Sequence, residues 1–420
     1  MRKVLAFLGL ALVALLCIGF VVMSSASMKI AQEHPDYGGD LYYFLKRQGM
    51  WLAAALVIGI FCYCVDYHCW KKLRFVFFRK IPVLRKIRLL REIPLLPVLF
   101  YLGVAFLLTL TLVPPFRTEI NGSFRWLVLT RVHIPFRIQP GELAKLATIV
   151  VIAVWMDILR EKAQGFWRGV FVPVLLLGGF AALLFGEKDL GATAVTCVLG
   201  IALMFVAGMK WRYLLGAVGM LASLGTLWIW HDAHRKGRIM SWWSIVRDPL
   251  SDNVRHANYH LYQSIRAFRS GGLKGVGFNQ SIQKHFFLPE AHTDFVFAIG
   301  AEEGGFYFSI AVLALYAVVL GLGIWISLRA PDRLGRLLAF GMTMLLVFQA
   351  ALNIGVVTGV LPTKGLALPF MSYGGTNLVV ALFAVGTLFN IGKCIVKQEN
   401  TTVVRDALGS DAFPHDMYPA

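Results

Sequence analysis

Apolar residues fall in ten runs of about 20 along this chain of 420 residues, and polar or charged stretches separate the runs. A helix needs about 20 mainly apolar residues to cross the hydrocarbon core of a bilayer, so each run predicts one transmembrane helix. The runs lie at 4–24, 50–67, 95–114, 143–159, 169–186, 191–208, 212–230, 305–328, 337–360 and 376–395. The pattern predicts an all-α polytopic membrane protein with ten transmembrane helices and one membrane domain over residues 1–395.

The composition supports this class, because 58% of the residues are hydrophobic, 15% are charged and the mean hydropathy is +0.67. A water-soluble protein cannot cover that much apolar surface. Arg2 and Lys3 precede the first run as they would in a secretory signal, but the apolar core is longer than that of a signal, so we predict a retained helix. The polar residues 396–420 predict a disordered cytoplasmic tail.

Basic residues set the predicted orientation. In the short loops, Lys and Arg are more frequent on the side of the N-terminus, which predicts that both termini are cytoplasmic. The net charge of +18 is scattered over these loops and does not predict nucleic-acid binding. The most basic stretch, 71–91, carries interleaved aromatic residues and is expected to lie along the anionic inner leaflet.

Three longer segments, all on the predicted outer side, are the places where function is expected. Residues 115–142 form the first. Residues 231–304, between the seventh and eighth spans, form the longest, and their amphipathic parts predict short helices at the membrane surface. Residues 361–375 are apolar but contain two prolines and three glycines, which predicts a broken or re-entrant segment.

Asp294 is the strongest catalytic candidate from residue type and position. It lies in Leu288–Phe295, where the long outer segment returns to apolar sequence. Partial burial there would raise the pKa of the carboxyl group and make it a better general base. A helix-capping role is an equally good interpretation, because Thr293-Asp294 before an apolar run is also a helix start signal.

Two further acidic positions lie at the outer ends of spans. Glu142 and Lys145 share a helix face at a spacing of three residues, which favours a structural ion pair over substrate contact. Asp189 lies in a very short turn, where it could bind a cation, orient a sugar or cap the next helix.

Basic residues on the outer side would suit an anionic substrate such as a diphosphate. The candidates are Arg125, Lys188, Arg255, Arg266, Arg269, Lys274, Lys284 and Lys364. Carboxylates could instead hold Mg²⁺ or Mn²⁺, although no ligand spacing identifies a metal site. The six cysteines lie in spans or on the cytoplasmic side, so the sequence predicts no disulfide framework, and ordinary packing is favoured over a metal site for Cys62, Cys64 and Cys69.

The motifs together resemble one family. In order they are Asn121-Gly122 to Arg125-Trp126, Gln139 to Leu146, Asp189-Leu190-Gly191, Pro289 to Phe295 and Pro369 to Gly375. This set is similar to the SEDS family (shape, elongation, division and sporulation), which includes FtsW, RodA and SpoVE, and the FtsW or SpoVE type fits better than RodA. Gly141, where the family usually has serine, Lys188, where proline is common, and the length of the basic insert at 71–91 depart from the family pattern.

The resemblance implies a peptidoglycan glycosyltransferase that polymerises lipid II on the outer face of the inner membrane, for septal synthesis in cell division. It implies a class B penicillin-binding protein and other division proteins as partners. It places the essential aspartate at Asp294. Substrate-binding or supporting roles then fall to Arg125, Glu142, Lys145, Asp189, His292, Lys364 and Ser372. A lipid II flippase and a non-catalytic scaffold that recruits the penicillin-binding protein remain alternatives.

Overall fold

The structure is a computed structural model, and it describes the whole chain except residues 34, 73–93, 115, 121, 129–136, 232, 248–257, 286 and 409–420. The α-helices of the described part are α1 (Arg2–Glu33), α2 (Tyr43–Cys64), α3 (Cys69–Lys72), α4 (Leu95–Leu112), α5 (Pro140–Leu159), α6 (Val172–Gly186), α7 (Leu190–Val206), α8 (Trp211–His231), α9 (Ala233–Arg247), α10 (Tyr259–Gly271), α11 (Val296–Arg329), α12 (Arg333–Val357) and α13 (Gly375–Leu408).

Short elements connect some of these helices. Pro35–Tyr37 and Arg160–Gln164 are 3₁₀ turns, and a π-helical turn at Trp167–Phe171 leads into α6. Strands β1 (Leu127–Val128) and β2 (Arg137–Ile138) pair antiparallel ahead of α5. The predicted all-α polytopic class is therefore confirmed.

Within the described residues, seven helices are long and apolar enough to cross a membrane: α1, α2, α4, α6 with its π turn, α11, α12 and α13. The other three predicted spans coincide with α5, α7 and α8. Helix α7 is apolar but has only 17 residues, and α5 carries Glu142, Lys145 and Asp157. The chain is a multi-pass membrane protein, and the count of ten spans stays a prediction.

Small residues let central helices approach closely, as is usual between membrane helices. A Cβ atom added to Gly386 of α13 would lie 2.2 Å from the Gly59 carbonyl oxygen of α2. One added to Gly323 of α11 would lie 2.2 Å from Thr343 Oγ1 of α12. Helices α2 and α13, and likewise helices α11 and α12, thus approach each other more closely than a residue larger than glycine would permit.

One predicted boundary was right and one was wrong. The eighth run, predicted at 305–328, begins at a kink in α11 at Gly305, whose φ is 70°, and a shorter helical stretch that starts at Val296 precedes the kink. The residues from Val296 to Glu303 are buried in protein, and an apolar run cannot by itself distinguish a helix buried in protein from one facing lipid. The last helix continues to Leu408, so residues 396–408 are helical rather than part of the predicted disordered tail, and the rest of the tail lies outside the described residues.

The long segment 231–304 contains the expected short helices, α9 and α10, and its second half is fixed to the start of α11. The amide groups of Val276 and Gly277 donate to the carbonyl oxygens of Glu302 (3.0 Å) and Glu303 (3.1 Å). A Cβ atom on Gly275 would lie 2.1 Å from the Glu303 carbonyl oxygen, so only glycine permits this contact. The segment is therefore anchored where it approaches the membrane domain.

Two buried acids complete this anchor. Glu302 is fully buried, and its carboxylate accepts hydrogen bonds from the hydroxyl groups of Ser270 (2.8 Å) and Ser281 and from two backbone amides. Glu303 accepts from Ser25 of α1 (2.5 Å) and pairs with Lys284 (3.1 Å). Because buried carboxylates are costly unless paired or hydrogen-bonded, these partners explain how two adjacent acids are tolerated in the core.

A separate polar cluster joins the C-terminal end of α2 to the N-terminal end of α12. Asp332 accepts a hydrogen bond from the Tyr67 hydroxyl at 2.6 Å and lies 3.3 Å from Nε2 of His68. His68 also contacts Asp66 through Nδ1 at 2.6 Å, and Lys71 pairs with Asp157 of α5 at 2.7 Å. Most of the predicted surface stretch 71–91 lies outside the described residues.

Candidate functional site

Asp294 lies at the last turn before α11, and the broken segment between α12 and α13 clamps its loop. Ser372 is buried; its hydroxyl donates to the Thr293 carbonyl oxygen (2.5 Å) and accepts from the Leu368 amide (2.7 Å). The Tyr373 amide donates to the His292 carbonyl oxygen (2.9 Å). The predicted irregular segment 361–375 is thus the element that positions the aspartate.

Asn353 of α12 fixes the backbone of the aspartate itself. Its side-chain amide donates to the carbonyl oxygens of Asp294 (2.8 Å) and Leu366 (2.5 Å). The two irregular segments therefore meet on one buried amide group. Three successive carbonyl oxygens, those of His292, Thr293 and Asp294, thus each accept a hydrogen bond, which fixes the main chain at the aspartate.

The Asp294 side chain is half-buried and adjoins Gly365 and Arg125. A Cβ atom built on Gly365 would lie 2.6 Å from Asp294 Oδ2 and 3.5 Å from Nη1 of Arg125. Burial, together with the negative charge of Glu290, raises the pKa of Asp294 to about 7, against the opposing effect of Arg125. A carboxyl group with this pKa is suited to accept a proton near neutral pH.

Asp189 connects Arg125 to the membrane helices. Its Oδ1 accepts a hydrogen bond from the Ala192 amide (3.0 Å), so Asp189 caps α7, which is one of the roles predicted for it. Its Oδ2 lies 3.5 Å from Nε of Arg125 and 3.4 Å from Nε2 of Gln139. The same carboxylate therefore caps α7 and pairs with the guanidinium group of Arg125.

Glu142 and Lys145 form the ion pair that their spacing predicts, at 2.7 Å in the protein interior. Lys145 Nζ also donates to Oε1 of Gln349 (2.7 Å), and the Gln349 amide donates to the Ala367 carbonyl oxygen (2.9 Å). The pair therefore supports the segment that clamps Asp294. It lies beneath the site and acts through other residues.

His292 and Lys364 occupy different environments. The His292 ring packs on Phe44 (centroids 4.7 Å apart) and Tyr373 (5.8 Å), and burial lowers its pKa although Glu290 opposes the shift. Lys364 lies next to Gly365 in the chain with its side chain exposed; desolvation of the ammonium group lowers its pKa, and the charge of Asp189 opposes that shift. His292 is thus a packing residue of the loop, whereas Lys364 presents a cation at the surface of the site.

One predicted basic residue, Lys284, lies away from the site. Lys284 is buried and committed to Glu303, Asn279 (2.5 Å) and Ser25 (3.0 Å), so it is not available to a diphosphate. Arg255 lies outside the described residues. In the described part of the chain no group of three or more His, Cys, Asp or Glu side chains could hold a metal ion, so the Mg²⁺ or Mn²⁺ prediction gains no ligand set.

Some residues that complete the site were not predicted from the sequence. Gln349 and Asn353 are spaced by four residues in an otherwise apolar helix, so they share a face, and polar residues inside apolar spans were the available signal. Gln48 of α2 donates to the Ser372 carbonyl oxygen and accepts from the Gly374 amide, both at 3.3 Å. Glu187, in the same turn as Asp189, is fully buried.

Together these residues form a compact arrangement of one titratable acid, a guanidinium group and an exposed ammonium group. The acid can take a proton from a substrate hydroxyl, and the two cations can offset negative charge on a leaving group. The arrangement therefore suits a reaction in which a substrate hydroxyl group displaces an anionic leaving group.

Comparison with known proteins identifies the family. The family model of FtsW, RodA and SpoVE, described as "Cell cycle protein", matches residues 81–395. The chain belongs to this family. It is 36% identical to "Probable peptidoglycan glycosyltransferase FtsW" of Geobacter metallireducens over 90% of this chain and 92% of that protein. It is 38% identical to the protein of the same name from Nitrosococcus halophilus, over 91% and 90%.

Solved structures agree. The chain is similar to one from a study titled "Structural coordination of polymerization and crosslinking by a peptidoglycan synthase complex", with a TM-score of 0.67, 28% identity and coverage of 92% of this chain and 97% of that chain. It is also similar to the rod shape determining protein RodA of Thermus thermophilus, with a TM-score of 0.55, 26% identity and coverage of 92% and 95%. The predicted family, its FtsW type and the glycosyltransferase class are confirmed.

Proposed function

We propose that this protein polymerises lipid II into glycan strands on the outer face of the bacterial inner membrane, with Asp294 as general base. The observation that carries the proposal is the half-buried Asp294 carboxyl group, whose pKa is raised to about 7, clamped next to Arg125. The glycosyltransferase names of relatives that match nine-tenths of the chain support the same reaction.

In the proposed reaction, Asp294 removes the proton from the 4-hydroxyl group of the acceptor sugar. The hydroxyl oxygen attacks the anomeric carbon of the donor, and the bond from that carbon to undecaprenyl diphosphate breaks. Arg125 and Lys364 supply positive charge for the departing diphosphate. Asp189 orients Arg125, and Asn353 and Ser372 keep the main chain of Asp294 in place.

The proposal includes a class B penicillin-binding protein as partner, other division proteins and a role in septal synthesis. The solved structure described as a peptidoglycan synthase complex supports a cross-linking partner. Both termini are proposed to be cytoplasmic, which follows from the distribution of basic residues in the short loops. If a divalent cation such as Mg²⁺ or Mn²⁺ assists the reaction, a chelator will lower the rate of polymerisation.

The experiment compares lipid II polymerisation by the parent and by Asp294→Asn, purified with the penicillin-binding partner, with and without a chelator. General-base catalysis is worth about 10²- to 10⁴-fold in rate, so the variant should lose at least about 100-fold. Asp40→Asn, which alters a carboxylate that pairs with Lys46 at the surface between α1 and α2, is the matched control and should retain activity. Translocation of fluorescent lipid II in liposomes without polymer would instead favour the flippase. A folded Asp294→Asn protein that polymerises at the parent's rate would contradict the proposal.

A further inference from the structure

Glu187 is a buried acid beside the site that the proposed reaction does not use. It follows the last residue of α6, is fully buried and touches two other elements. Its backbone carbonyl accepts a hydrogen bond from the Phe124 amide (3.0 Å), which holds the chain next to Arg125. Its side chain meets the Thr111 hydroxyl of α4 at 2.5 Å.

The hydrogen-bond inventory at Thr111 restricts the protonation state of Glu187. The Thr111 hydroxyl lies 2.5 Å from Glu187 Oε1 and 2.7 Å from the Leu108 carbonyl oxygen. A hydroxyl group has one proton to donate, and a carbonyl oxygen can only accept. If Thr111 donates to Leu108, as threonines in helices often do, the second contact requires a proton on Glu187.

The other oxygen of Glu187 points to the same state. Oε2 is buried and has no hydrogen-bond partner among the described residues. A buried carboxylate with an unpaired oxygen is strongly disfavoured, whereas a neutral carboxylic acid is tolerated far better. The charged groups that face Glu187 are Asp189 on its own turn, which disfavours a second negative charge, and Arg125, which favours one.

Arg125 does not neutralise Glu187, because its charge is shared. Its Nε lies 3.5 Å from Asp189, and its Nη1 adjoins the space between Gly365 and Asp294. Three ionised carboxylates around one guanidinium group would leave excess negative charge where an anionic leaving group must form. One neutral acid reduces that excess from two negative charges to one.

We propose that Glu187 is a neutral carboxylic acid whose hydroxyl group donates a hydrogen bond to the Thr111 hydroxyl oxygen. As a neutral positioning residue it does not pair with Arg125, so the guanidinium charge acts on Asp189, Asp294 and the substrate diphosphate. The role of the substrate in this statement rests on the proposed function. The protonation state does not. Burial, which is the largest cause, and the charge of Asp189 raise the pKa of Glu187 to about 8 against the opposing effects of the Thr111 contact and the charge of Arg125, in agreement with a neutral acid at neutral pH.

The direct test is infrared spectroscopy of the full-length protein in lipid nanodiscs. The protein carries Asp294→Asn, which removes the carboxyl group of Asp294, whose pKa is also raised. At neutral pH the spectrum should contain the C=O stretching band of a protonated carboxylic acid, and Glu187→Gln should abolish that band. Titration to about pH 10, two units above the raised pKa, should also remove it. Identical spectra for the two proteins at neutral pH would overturn the proposal, whatever the outcome for Asp294.

An activity test separates positioning from simple packing. Glu187→Leu should lower polymerisation about fivefold, the value of one hydrogen bond, and Glu187→Gln should restore it because the amide can donate to Thr111. Above about pH 8 the parent should lose activity as Glu187 ionises, whereas Glu187→Gln should not. If Glu187→Gln is as inactive as Glu187→Leu and the alkaline loss is unchanged, Glu187 does not act as a neutral acid.

Discussion

Gly365 offers a sharp test of the site because it has no side chain where Asp294 needs space. A Cβ atom at this position would lie 2.6 Å from Asp294 Oδ2, whereas ordinary non-bonded contacts lie at about 3.5 Å. Gly365→Ala must therefore displace the carboxyl group, or the segment opposite, by about 1 Å. A displacement of about 1 Å at a reacting group can cost about 100-fold in rate, or about 2.7 kcal/mol of transition-state stabilisation.

The assay is fluorescent lipid II polymerisation by the purified variant, with the thermal unfolding temperature measured on the same sample. Gly374→Ala is the matched control, because its added Cβ atom would lie 3.6 Å from the Asn377 side chain, an ordinary contact in the same segment. We expect Gly365→Ala to lose most of its activity while both variants remain folded. Equal rates for the two variants would show that Asp294 tolerates displacement, and the general-base assignment would then lack its geometric basis.

Other predictions concern titration and buried charge. Polymerisation should fall about tenfold per unit as the pH drops below about 7, because protonated Asp294 cannot act as a base, and a pH-independent rate would contradict this. Lys145→Met should destabilise the protein by about 3–5 kcal/mol, because Glu142 is left as an unpaired buried charge, and the double variant with Glu142→Gln should recover stability in thermal unfolding. The hydrogen bond with Asp332 raises the pKa of His68 above its ordinary value of 6.5 despite partial burial. The stability lost in Asp332→Asn should therefore be largest below pH 6.5 and should shrink as the pH rises through the raised pKa, which unfolding temperatures across that range will check.

The helices could be predicted well because apolar run length is a direct consequence of bilayer thickness. The start of α11 could not, since Val296 to Ile299 read as apolar sequence whether they face lipid or other helices. The burial of these residues depends on the long segment folding over them, which is a tertiary effect.

The site was predictable in part. Asp294, Asp189 and Arg125 were singled out by position, and the structure brings them together. The clamp joins the Asp294 loop to Asn353, 59 residues away in α12, and joins Thr293 to Ser372, 79 residues away beyond α12, and local sequence carries no information about such contacts. Family resemblance supplied Ser372, but neither pattern nor resemblance indicated how it acts.

The contact between Gly275 and the main chain of α11 bears on how this protein can be labelled. The main chains of the two segments are in direct contact there, without intervening side chains. An epitope or fluorescent domain inserted between residues 271 and 306 would therefore separate them. The disturbance would reach Asp294 through the first turns of the same helix. A tag meant to report location without altering catalysis therefore belongs at the far end of α13, beyond Leu408.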